Sequence, residues 1–79
     1  MEINDFIKNF ADQFDDTEFG DFQPDLNFRD LDEWSSLNGL AVLNMLEKKY
    51  DVILRPDEFR TVNTVQELFD LTQSKRDSK

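Results

Sequence analysis

The chain contains no cysteine and no histidine. Their absence removes disulfides, Ser-His-Asp triads, Cys-His pairs and metal sites built on imidazole or thiolate. Glycine and proline are scarce, two of each in 79 residues, which argues against a glycine-rich β fold or a linker and for a mostly helical chain. Bases are outnumbered, nine against eighteen acids, for a net charge of −9. Such a surface repels nucleic-acid phosphates and anionic membranes, and its natural complement is a basic protein. Long apolar runs are missing too. The longest strictly apolar stretch is Leu40–Leu43, whereas a transmembrane helix needs about twenty residues. The opening Met1-Glu2-Ile3-Asn4-Asp5 is acidic and polar, unlike a signal or transit peptide, so the expected compartment is the cytoplasm. Only carboxylates remain for acid–base work. A catalytic pair needs a pocket that shifts their pKa values, and so small a domain has little room for one. No enzyme activity is expected.

What is present fits a single domain over residues 1–79. Eight Phe, one Trp and one Tyr supply large surfaces for a core that no disulfide staples. Ile3, Phe6, Ile7, Phe10 and Phe14 recur at spacings of three and four, which predicts a first helix over about 2–14. From Asp15 to Trp34 the periodicity fails, punctuated by Gly20 and Pro24. So long a loop must be tied down, and Phe19, Phe22, Leu26, Phe28 and Leu31 are expected to tuck it onto the core. As a calcium loop it fails. With Gly20 at position 6, position 5 is Phe19 and position 12 is Leu26, where Glu is required. No metal site is expected.

Ser35-Ser36 open a strong helical segment that runs to Tyr50, serine being a preferred N-cap. At about 100° per residue, Val42, Leu43, Leu46 and Tyr50 share one face with Gly39. Leu37, Leu40, Ala41 and Asn44 lie opposite, with Met45 beside them. The second face has no evident use inside the domain and is expected to be a partner surface, the alternative being that the loop covers it. Val52-Ile53-Leu54 reads as extended, and Pro56 suits the first position of a short helical turn over Asp57–Arg60. Thr64-Val65-Gln66-Glu67 is a capping box that starts a last helix running to about Gln73. The polar tail, 74–79, is expected to fray. The expected fold is all-α: a small antiparallel bundle of three main helices, a short extra helix and a long first loop.

The charge is uneven. Residues 1–40 carry eleven acids and two bases, Lys8 and Arg29, while residues 41–79 carry seven of each. Composition and periodicity therefore end at an acidic helical bundle with an exposed apolar patch.

The stretch Leu31-Asp32-Glu33-Trp34-Ser35-Ser36-Leu37 resembles the phosphopantetheine attachment site of acyl carrier proteins, usually Asp-Ser-Leu at the start of the second helix. Leu46-Glu47-Lys48-Lys49-Tyr50-Asp51-Val52 resembles that family's end of the helix, Thr64-Val65 its opening of the last helix, and Phe28, eight residues before Ser36, a Phe that the family favours. The resemblance spans nearly the whole chain. It implies that Ser36, the serine followed by Leu37, carries a 4′-phosphopantetheine arm installed from coenzyme A by a phosphopantetheinyl transferase. The arm would present acyl groups as thioesters to acyl-transferring or condensing enzymes, in a fatty-acid or a specialised lipid or polyketide-type pathway. The expected chain is a monomer. Two positions depart from the pattern: Ser35 replaces the usual Asp, and Glu33 the usual Gly. The family's second helix is typically acidic, whereas residues 36–51 here carry Glu47 and Asp51 against Lys48 and Lys49. Docking is accordingly expected to rest on Leu37 and Leu40, with Asp30, Asp32 and Glu33 adding charge. Two other classes compete: an acidic interaction module without a prosthetic group, and a nucleic-acid mimic whose acids imitate phosphates.

Overall fold

A computed structural model describes residues 2–15 and 19–77. The protein is a small all-α bundle. Three longer helices, α1 (Ile3–Ala11), α2 (Ser36–Tyr50) and α4 (Val65–Asp77), are joined by a one-turn helix α3 (Pro56–Phe59). No strand occurs among the described residues, only an isolated antiparallel bridge between Asn27 and Thr64. The stripe on α1 buries Phe6, Ile7 and Phe10, and α1 packs against both α2 and α4. Asn9 Nδ2 donates to the Tyr50 hydroxyl (2.9 Å), tying α1 to the end of α2. The last residue of the stripe, Phe14, is buried although α1 ends at Ala11, three residues short of the expected boundary. The chain leaves the helix through tight turns, Gln13 N–H to Phe10 O and Phe14 N–H to Ala11 O, and Phe14 reaches the core from there.

The long loop does fold back, with Phe22 and Phe28 buried and Leu26 and Leu31 packed against the core. The expectation for the Phe19 side chain, and the calcium-loop frame where it crosses residues 16–18, lie outside what is described. Two short 3-10 turns, Phe19–Asp21 and Phe28–Asp30, supply local order that hydrophobic periodicity does not signal. The deeper reason for the loop's course is hydrogen bonding. A helix start leaves backbone N–H groups without intrahelical partners. For α4 the loop supplies them: Val65 N–H donates to Leu26 O (3.1 Å) and Gln66 N–H to Pro24 O (2.8 Å). The capping box completes the set, with Glu67 N–H to Thr64 Oγ1 (3.1 Å) and Thr64 N–H to Glu67 Oε1 (3.0 Å). Glu67 also accepts from Asn63 N–H (2.9 Å), and these backbone donors hold its carboxyl below the usual range.

At the other end, α4 continues to Asp77, beyond the expected stop near Gln73, so 74–77 are helical instead of a loose tail; residues 78–79 lie outside what is described. Lys75, in the last turns, pairs with Glu58 of α3. The Thr72 hydroxyl, fully buried, donates to Leu68 O (2.8 Å). α2 ends at Asp51, which takes the left-handed conformation (φ 56°), with Val52 N–H returning to Leu46 O (3.2 Å), a common helix stop.

Candidate functional site

Ser36 is the first residue of α2, and Ser35 is its N-cap. The two serines have different duties. Ser35 Oγ donates to Asn38 Oδ1 (2.8 Å) and accepts from Asn38 N–H at a long 3.5 Å. Asn38 Nδ2 in turn donates to Gln13 O (3.3 Å), anchoring the start of α2 to the residues after α1. Ser36 is exposed, and among the described residues no hydrogen bond engages its hydroxyl. The cap therefore leaves the second serine chemically spare, at a helix end whose N–H groups and dipole favour an anion.

Beside Ser36 opens a groove of about 350 Å³ between α2, the preceding loop and α3. Ser35, Ser36, Gly39, Leu40 and Leu43 contribute from the α2 side, Trp34 and Arg29 from the loop, and Pro56, Phe59 and Arg60 from α3 and its end. Gly39 lies under two of the groove's rings: an added Cβ would stand 3.6 Å from the Phe59 ring and 3.7 Å from the Trp34 ring, ordinary contact distances. The aromatic wall is continuous, Phe28–Trp34 centroids lying 5.0 Å apart, Phe28–Phe59 5.9 Å and Trp34–Phe59 6.1 Å.

Arg29 holds this wall together. Its Nε donates to Val62 O (3.1 Å) and one terminal nitrogen, Nη2, to Phe59 O (2.7 Å), so it bonds carbonyls at and just beyond the end of α3. Its guanidinium lies 5.3, 5.8 and 5.1 Å from the ring centres of Phe28, Trp34 and Phe59, within cation–π range. α3 is fixed at its start as well. Arg55 N–H donates to Glu58 Oε1 (3.0 Å), and Glu58 pairs with Lys75. The Lys75 hydrogen bond, then the Arg55 N–H, lower the Glu58 carboxyl below its ordinary value.

Of the expected site residues, Leu37 and Leu40 stand out from the surface at 78% and 64% exposure. Leu40 shares the groove with Ser36, while Leu37 lies outside it. Asp30 and Asp32 are exposed; Glu33 is half-buried and already engaged. None of these three acids lines the groove. One placement differs from the sequence reading. Met45 is buried in the core instead of flanking the outward face, so the buried arc of α2 is turned toward Val42 and Met45. Leu43, expected on the core face, packs against the core and also borders the groove. Ile53 is a further exposed apolar residue, at 68%, between buried Val52 and Leu54; its strand-like alternation is the signal for it. The roles of Trp34, Gly39, Phe59, Arg29 and Arg60 in the groove carry little sequence signal. The hint is a glycine inside a helix, which marks a close approach.

Comparison of the chain with protein-family models, with curated proteins and with solved structures finds no match.

Proposed function

We propose that this protein is an acyl carrier whose 4′-phosphopantetheine arm is attached to Ser36. The observation that carries the reading is the division of labour between the two serines. Ser35 caps α2, and Ser36 presents an exposed hydroxyl that makes no hydrogen bond among the described residues, beside an open groove. The residues present fit the group: a free hydroxyl to esterify, a helix start that tolerates the phosphodiester's charge, and open space next to it. When bound, the arm supplies a terminal thiol that holds acyl groups as thioesters, the nucleophile that a chain without cysteine lacks.

The chain's own contribution is presentation. Exposed Leu37 and Leu40 give an incoming enzyme an apolar foothold beside the modified serine, and Asp30 and Asp32 place negative charge just before it. The transferase and the acyl-transferring or condensing enzymes are the proposed partners, with the cytoplasm as compartment and a monomer as the working form. Among the described residues no helix is long and apolar enough to cross a membrane.

The test is incubation of the unmodified chain, Ser36→Ala and Ser35→Ala with coenzyme A and a broad-specificity phosphopantetheinyl transferase, followed by intact-mass measurement. The parent and Ser35→Ala should each gain one phosphopantetheine, and Ser36→Ala none. No gain by the parent, or a gain that survives in Ser36→Ala, would refute the assignment and leave the exposed leucines as a plain interaction surface.

A further inference from the structure

We infer that the groove beside Ser36 is an anion seat, in which Arg29 and Arg60 receive the phosphodiester of the arm. The inference rests on the carrier reading above and extends it to residues for which no role toward the arm follows from the sequence.

Arg29 is the anomaly that leads there. It is half-buried, in a chain with twice as many acids as bases, yet among the described residues it has no carboxylate partner. Burying a charge without a counter-charge is costly. Ring faces and two carbonyls offset that cost, and Nη1, which makes no hydrogen bond among the described residues, is not buried and stays open to a ligand. Lys8, Lys48, Lys49 and Arg76 also lack carboxylate partners there, but each is exposed on a helix surface, where water solvates it. Arg60, exposed at the end of α3 and without a carboxylate partner among the described residues, lines the same groove. No acid lines that groove. The local sign is thus opposite to that of the chain as a whole, and it occurs next to the one hydroxyl proposed to receive an anion.

The chemistry matches the geometry. A guanidinium offers paired N–H donors that suit a phosphate better than an ammonium does. Arg29 is already immobilised by two carbonyls and three rings, so little side-chain freedom would be lost on contact. Arg60 is exposed, so its side chain has room to close on an anion from the end of α3. An anion seated here would link α2 to α3 through both arginines and set the direction in which the arm leaves Ser36.

The experiment compares the unmodified chain with the same chain after transferase and coenzyme A, each checked by intact mass. Side-chain Nε–Hε signals of the arginines are recorded by 1H–15N NMR, together with the 31P signal of the modified form. Modification should shift the Arg29 and Arg60 signals while leaving Arg55 and Arg76 still. Arg60→Gln, which is exposed and should fold, should move the 31P signal and weaken the Arg29 response. A mass gain with Arg29 and Arg60 unmoved would overturn the anion seat and leave the carrier reading intact. So would signals that move only after a succinyl group is loaded, which would assign the arginines to a carboxylate at the end of the cargo. Absence of any mass gain would overturn both.

Discussion

Gly39 sits inside α2 with room for a methyl group. Its added Cβ would meet the Phe59 and Trp34 rings at 3.6–3.9 Å, ordinary contact distances. Glycine in a helix interior costs roughly 0.5–1 kcal/mol relative to alanine. Gly39→Ala should therefore raise stability by about that amount, seen as a higher urea midpoint at unchanged slope. A fall in the midpoint would mean that the aromatic wall cannot accept the methyl. The two serines separate at the same scale. Ser35→Ala removes the cap of α2 and should cost about 0.5–1 kcal/mol, the low end of the range because one cap bond is long. Ser36→Ala removes no hydrogen bond made among the described residues and should stay within about 0.5 kcal/mol of the parent. Equal losses for the two would contradict the division of labour on which the functional reading stands.

Two carboxylates organise the elements. Glu58 joins the start of α3 to the end of α4, and Glu67 caps α4. Both have lowered pKa values, the first chiefly through Lys75 and the second through the Asn63 and Thr64 N–H groups. A carboxylate whose pKa is lower in the folded state adds stability above its unfolded value, and that stability is lost as pH falls through the folded value. The fold should therefore weaken as pH drops below about 4.5. Glu58→Gln and Glu67→Gln should be less stable than the parent at pH 7 and approach it at pH 3 in urea titrations. Parallel pH profiles for parent and variants would contradict the assignment. Lys75→Ala should leave the core intact but speed amide exchange across 74–77, the residues that polarity alone would consign to a frayed tail.

The radius of gyration of the whole molecule, 11.5 Å, is what a compact chain of this length should have, about 11.6 Å, so the long acidic loop is drawn in against the bundle. Eleven of the eighteen acids lie in residues 1–40, and their mutual repulsion opposes that packing. Added salt at modest concentration should raise the melting temperature; a flat or falling response would show that this repulsion does not strain the fold. The bundle itself was legible in the sequence. The three-four spacing of Ile3, Phe6, Ile7 and Phe10, the serine cap and the Thr64–Glu67 box are local signals, and local signals survive into the fold. The groove was not. It depends on Arg29 reaching Phe59 and Val62, some thirty residues away, and on rings from separate segments meeting over Gly39. Such contacts leave no periodic trace.

The central claim, that Ser36 bears the arm, is tested most directly by the intact mass of the chain purified from its native host without deacylating treatment. The account predicts a mass above that of the bare chain by one phosphopantetheine, alone or with an acyl group, and fragmentation that places it on Ser36. A chain with no added mass, or an added group on Ser35 or elsewhere, would contradict it.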